Sequence, residues 1–223
     1  MRVALYWAPH LEDRLHRLGS QWLGRDAETG AALAQPTLPG LDIAALTEAP
    51  RLYGLHATLK PPFRLRTSWE ALRADAKALA ARTRPFAMPP LVLAEHHGFL
   101  ALLEAEKSPA LQSLCDACVT ALDTHRAPPT AEEIARRRPE RLTDRQRAHL
   151  RRWGYHYVLD EWWFHVTLTR RLTAQEREVV QPALAAHLAD APALPRRVTE
   201  LCLFTQAAPG APFLVAERLP LLG

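Results

Sequence analysis

Lysine, cysteine and long apolar runs are scarce in this sequence, and each scarcity excludes something. Only Lys60, Lys77 and Lys107 are lysines, so arginine carries nearly all of the positive charge. Alongside abundant Ala, Arg, Pro and Leu, that skew most simply reflects coding bias. A formal charge of +4 and a pI of 9.2 are then no argument for general nucleic-acid binding. Three cysteines cannot all pair with one another. Cys115 and Cys118 lie three apart in the helical pattern Leu111 to Leu122, which reads as buried thiols on one helix face rather than a redox centre. No stretch approaches the roughly 20 apolar residues of a membrane span. Met1 to His10 alternates like a strand instead of forming a charged segment and signal core, so a cytoplasmic protein is expected. A Gly-x-Ser-x-Gly elbow, a Walker phosphate loop, a dinucleotide fingerprint, a second Cys-x-x-Cys and His-Glu-x-x-His are all missing. His96-His97 falls at a hairpin turn without the carboxylates of a metal cage, and neither metal nor cofactor is expected.

What the sequence does contain is one tetrapeptide pattern twice: His56-Ala57-Thr58-Leu59 and His165-Val166-Thr167-Leu168. In a strand, side chains alternate between faces, so each copy turns His and Thr one way and two apolar residues the other. Chance supplies about 0.1 His-x-Thr-Leu strings in this composition, and two by accident arise roughly 1 time in 100. The surroundings match as well. After His56 come a Pro-rich turn, a helical stretch from Ser68 to Arg82, the run Leu91 to Ala94, the His96-His97-Gly98 turn and the strand Phe99 to Glu104. After His165 come a helical stretch from Ala174 to Leu188, the run Val198 to Phe204, a turn from Ala207 to Pro212 and the strand Phe213 to Glu217. Matching order predicts a duplicated unit. The expectation is one bilobal α+β domain over 1–223, with a first repeat at about 55–105, a second at about 163–219, and two antiparallel sheets flanking a central groove with helices outside. At the front, Arg2 to Trp7 reads as a strand, and Leu11, Leu15, Leu18 and Trp22 as a helix stopped by Gly24.

One segment has no counterpart, about 126–157, with nine arginines from Arg126 to Arg152. Thr130 with Glu133, and Thr143 with Gln146, suggest two capped helices. It is either a solvated helical insertion or a rim that attracts an anionic substrate through its guanidinium groups.

Two imidazoles, with an ordinary pKa of about 6.5, divide the work of splitting a phosphodiester: one takes a proton from the attacking oxygen, the other gives one to the departing oxygen. Two threonine hydroxyls would donate to the non-bridging oxygens. Lys60, kept extended by Pro61 and so on the His56/Thr58 face, would stabilise developing charge. Tyr6, Arg171 and Tyr157 join the candidate substrate-binding residues by strand parity or location.

On these two motifs the chain resembles the 2H phosphoesterase superfamily. The stretches Tyr53 to Phe63, Arg141-Leu142-Thr143, Arg152 to Tyr155 and Phe164 to Thr169 more narrowly resemble a bacterial family assigned to phosphonate metabolism and encoded beside carbon–phosphorus lyase genes. The resemblance implies a metal-independent enzyme with His56 and His165 catalytic and Thr58 and Thr167 binding phosphate. It also implies a cyclic or 2′-linked phosphate as substrate, with a ribosyl cyclic phosphate of phosphonate breakdown first. The alternatives are an RNA-end enzyme acting on 2′,3′-cyclic or 2′-5′ linkages, with Trp153, Tyr155 and Tyr157 as stacking surfaces, and a non-catalytic nucleotide- or RNA-binding module. A monomer with a small anionic substrate and no membrane partner is expected.

Overall fold

A computed structural model describes residues 1–223. In chain order the first half holds β1 (Arg2–Trp7), α1 (Arg14–Leu23), α2 (Ile43–Leu46), α3 (Glu48–Tyr53), β2 (Ala57–Arg64), α4 (Trp69–Ala81), β3 (Phe86–Met88), β4 (Leu91–His96), β5 (Phe99–Glu104) and α5 (Pro109–Ala121). The second half holds α6 (Ala131–Ala135), α7 (Asp144–Trp153), β6 (His165–Thr167), α8 (Ala174–Leu188), β7 (Arg196–Val198), β8 (Glu200–Gln206) and β9 (Leu214–Pro220). Helix starts follow local chemistry. Asp13, Ser68 and Ser108 each accept a backbone N–H in the first turn, and Thr130/Glu133, Thr143/Gln146 and Thr173/Glu176 close reciprocal capping boxes. Gly24, at φ 78°, ends α1 in a left-handed conformation that a side chain would resist.

Two antiparallel sheets result, in a mixed α and β architecture. The larger has seven strands in the order β4-β5-β6-β2-β1-β8-β9, and the smaller pairs β3 with β7. The string β2-α4-β3-β4-β5 recurs as β6-α8-β7-β8-β9, and the two strings interlock. The hairpin β4–β5 docks on β6, β3 pairs with β7, and β8–β9 lies beyond β1. The histidine strands β2 and β6 are therefore hydrogen-bonded neighbours at the centre of one sheet, not strands facing each other across a gap.

Helices cover one sheet face. Leu15, Leu18 and Trp22 of α1, Leu72 and Ala76 of α4, Leu111 and Cys115 of α5, and Val180 and Leu184 of α8 pack there against Val3, Leu5, Ala57 and Val166. A smaller apolar cluster of Ala4, Tyr6, Ala27, Cys202, Phe204 and Phe213 covers part of the other face. β1 is thus buried on both sides, which is why Arg-Val-Ala-Leu-Tyr-Trp is apolar almost throughout. All three cysteines are free and buried. No helix is long and apolar enough to cross a membrane.

Candidate active site

Pairing between β2 and β6 is centred on Ala57 opposite Val166, in antiparallel register. Counting outward, His56 lies opposite Thr167 and Thr58 opposite His165, so a local two-fold axis relates the motifs. Ala57 and Val166 point into the helical core. By alternation the two histidines and two threonines share the other face. The histidines are diagonal neighbours, a relation that separates Cα atoms by roughly 7–8 Å. That spacing admits one tetrahedral phosphate between two side chains.

Both imidazoles are held alike. His56 donates from Nδ1 to the carbonyl of Gly54 at 2.9 Å, and His165 donates from Nδ1 to the carbonyl of Trp163 at 3.2 Å. A carbonyl can only accept, so the proton sits on Nδ1 in both rings and each Nε2 is left for chemistry. The Thr58 hydroxyl donates to His56 Nε2 at 3.3 Å. Burial pushes His56 down to about 4; the Gly54 carbonyl opposes this, and charge on His165 adds to it. Burial also lowers His165, opposed by the Trp163 carbonyl and reinforced by His96 and His97. Without an anion nearby, both rings are therefore neutral at pH 7.

One cleft of about 460 Å³ is lined by His56, Thr58, His165 and Thr167 together with Tyr6, Tyr157 and Arg171. Tyr6 pairs with Thr58 across β1 and β2, packs with its ring centroid 3.9 Å from that of His56, and has a buried hydroxyl with no protein partner. Burial, with Tyr53 and Tyr155 nearby, raises its pKa well above 10, so it remains a donor. The cleft also takes in residues that motif reasoning did not single out for it: Arg2, Tyr53, His97, Phe99, Arg137, Trp162, Trp163 and Thr169. A usable signal existed in the tyrosines, since Tyr6, Tyr53, Tyr155 and Tyr157 are all that the sequence contains and all line this cleft. Trp153, expected to offer a stacking surface, lies instead beneath the Arg152 guanidinium at 4.3 Å, beside a separate small cavity.

Lys60 does not reach the cleft. Tyr6 pairs with Thr58 but Leu5 pairs with Lys60, so Leu59 is an extra residue in a β-bulge that reverses the alternation. The Lys60 side chain, 2% exposed, turns to the helical side and donates from Nζ to the Val119 carbonyl at 2.9 Å and to Asp123 at 3.2 Å. Burial alone would raise Asp123, but Arg126 and Lys60 outweigh it and hold the carboxyl below its usual range. Lys60→Met should lower stability by about 1–3 kcal/mol, because Asp123 keeps Arg126 but loses a buried donor. kcat should change less than threefold. Chemical denaturation and steady-state rates check both, and a hundredfold loss of kcat with stability intact would restore Lys60 to the chemistry.

Of the nine arginines from Arg126 to Arg152, only Arg137 lines the cleft, stacked over Tyr155 at 4.7 Å. Arg126 is paired with Asp123, Arg145 with Asp160 and Arg147 with Asp144. No group of three or more His, Cys, Asp or Glu side chains is arranged to hold a metal ion.

The profile of a family described as a protein of unknown function, DUF1045, matches residues 58–214. Two curated relatives, both named ribose 1,5-bisphosphate phosphokinase PhnN, align with the whole chain. The protein of Janthinobacterium sp. (strain Marseille) is 36% identical over 231 residues, and that of Laribacter hongkongensis (strain HLHK9) is 34% identical over 224. The alignments take in 51% and 52% of those proteins, so the chain spans about half the length of the curated relatives it matches. Among solved structures, a phosphoesterase is 14% identical with a TM-score of 0.46, and E. coli LigT complexed with 3′-AMP is 15% identical with a TM-score of 0.44. Each covers all of this chain and 98% of its own.

Proposed function

The chain belongs to the DUF1045 family of proteins of unknown function, and from that premise we propose that it is a metal-independent phosphoesterase of the two-histidine kind, opening a cyclic phosphodiester with His56 and His165 as its acid–base pair. The observation that carries this reading is the pair of Nε2 atoms presented by one two-fold register, each backed by a carbonyl on Nδ1. A bound phosphate raises the pKa of both rings, and one of them holds a proton. The neutral ring takes a proton from water as its oxygen bonds to phosphorus. The charged ring gives its proton to the sugar oxygen as the phosphorus–oxygen bond breaks. Thr58 and Thr167 donate to the non-bridging oxygens, with the Thr58 hydroxyl turning from His56 toward phosphate, and the Tyr6 hydroxyl gains the partner it lacks within the chain.

For the substrate, the relatives' name supplies a pentose phosphorylated at positions 1 and 5. The phosphokinase activity in that name does not carry over, because this chain has no Walker loop. Adding water across the phosphorus–O2 bond of a 5-phosphorylated ribosyl 1,2-cyclic phosphate yields ribose 1,5-bisphosphate. That cyclic ester is the first-choice substrate, in keeping with the phosphonate-metabolism family the sequence resembles. A second reading, an RNA-end 2′,3′-cyclic phosphodiesterase, is favoured by the aromatic lining of Tyr53, Tyr155, Tyr157, Trp162 and Trp163.

A panel of cyclic phosphates, assayed with and without EDTA, tests the proposal. Ring-opening of the sugar ester, unchanged by chelator, is expected. Preference for nucleoside 2′,3′-cyclic ends would favour the second reading. Binding without turnover of either class would leave a non-catalytic module, and activity lost to EDTA and restored by a divalent ion would overturn the metal-free mechanism.

A further inference from the structure

The cleft is symmetric at its centre and asymmetric at its ends. At the His56 end, Tyr6 and Tyr53 close over the ring, with centroids 3.9 and 5.8 Å away. At the His165 end the lining includes two cationic-capable side chains, His97 and Arg171. We infer that the His97–Arg171 end is a binding site for a second phosphoryl group, one sugar ring away from the phosphate held between the catalytic histidines.

Four observations carry this. First, Arg171 is exposed and its guanidinium makes no ion pair or hydrogen bond within the chain, whereas its neighbour Arg170 is held by both oxygens of Glu176. Second, the backbone fixes Arg171 beside His97: the Leu172 N–H donates to the Gly98 carbonyl at 2.7 Å, and the Arg171 stem lies alongside Gly98. Third, His97 is held at φ 50° in the two-residue turn with Gly98 at φ 89°. That left-handed geometry suits such turns but is uncommon for a residue with a side chain, and His97 lines the cleft. Fourth, Trp163 stands between the two places, its ring centroid 5.5 Å from His165 and 6.0 Å from His97. Its buried indole N–H has no partner in the protein, and the residue lines the same cleft.

The other cleft arginines are placed differently. Arg2 donates to Gln206 at 2.7 Å, and Arg137 lies over Tyr155 on the insertion side. A planar guanidinium with an imidazole beside it suits a terminal phosphate, which offers three oxygens and up to two charges. A pentose carrying its second phosphate on C5 fills both places, whereas one with a free C5 hydroxyl leaves Arg171 without a counter-charge. The substrate class this assigns is a bisphosphorylated sugar rather than a polynucleotide end.

The inference rests on the proposed phosphoesterase site for its first phosphate, but its test does not depend on turnover. Calorimetric titration of the whole chain with ribose 1,5-bisphosphate and with ribose 1-phosphate should show the bisphosphate binding about 30–100-fold more tightly. Arg171→Met should collapse that ratio to within about threefold, His97→Gln should reduce it by about 3–10-fold, and Arg151→Met, on the surface away from the cleft, should leave it unchanged. Arg171 is exposed, so melting temperature will show whether its variant remains folded. Equal affinity for the two ligands in the unaltered protein would overturn the second site. So would a ratio that survives Arg171→Met but collapses in Arg137→Met. If the ratio behaves as expected while no cyclic phosphate is opened, the second site stands and the phosphoesterase reading falls; turnover with no preference for a 5-phosphate gives the reverse.

Discussion

Replacing His56 or His165 with alanine should lower kcat on a cyclic phosphate by about 10²–10⁴-fold, the usual worth of one proton-transfer group. Either loss alone should approach the effect of losing both, because a lone histidine cannot both receive and supply a proton in one turnover. KM should move by less than about tenfold, since Thr58, Thr167 and the cleft cations remain. Each ring is half-buried at the cleft and held through Nδ1 by a carbonyl two residues earlier, His56 also accepting from the Thr58 hydroxyl, and no secondary-structure hydrogen bond depends on either side chain. Thermal melts of the variants should therefore stay within a few degrees of the parent. A variant that keeps more than a tenth of kcat would remove that histidine from the chemistry.

The second large effect is on the scaffold. β6 is only three residues long, and the chain beyond it is fastened by Trp22, which is fully buried on α1 and donates its indole N–H to the Leu168 carbonyl at 3.0 Å. Trp162 does the same for the first motif, donating to the Thr58 carbonyl at 2.8 Å. Trp22→Ala should destabilise the fold by about 3–5 kcal/mol through the cavity it opens, on a total that for most domains is only about 5–15 kcal/mol. It also leaves a buried carbonyl without a donor. Trp22→Phe keeps much of the volume and loses the donor, and should cost about 1–3 kcal/mol. Urea unfolding separates the two; equal midpoints for Trp22→Ala and the parent would show that the strand after His165 does not depend on this contact.

Much of the architecture was written locally. Helices starting at Ser68, Ser108, Thr130, Thr143 and Thr173 follow from hydroxyls placed three residues before an orphan N–H. The shared face of His56, Thr58, His165 and Thr167 follows from alternation over three residues, too short a stretch for an irregularity to intervene. Lys60 shows where that logic stops. One bulge residue at Leu59 reverses parity, and nothing in the identity of leucine announces it. Long-range choices were equally silent. That the β4–β5 hairpin would dock on β6, so that His97 overlooks the histidine of the other motif, depends on strand pairing between distant segments. The role of the insertion's arginines stayed open for a related reason. Composition counts charges, but Asp123, Asp144 and Asp160 decide which of them are already paired, and only Arg137 extends into the cleft.

The central claim, that two histidines share one phosphodiester as acid and base, is tested most directly by the pH dependence of kcat/KM on an opened cyclic phosphate. Burial lowers both pKa values in the free protein, His56 to about 4 and His165 below its ordinary 6.5. One ring must be charged and the other neutral, so the productive form is most populated between the two values, on the acid side of neutrality. The account predicts a bell whose maximum lies below pH 6.5, with kcat/KM falling about tenfold per unit on the alkaline limb as the last proton is lost. The profile for kcat should lie at higher pH, because the bound phosphate raises both rings. A kcat/KM that is flat through neutrality or climbs steadily into alkaline pH would contradict the account, since hydroxide or an ionised water would then be doing the work assigned to His56 and His165.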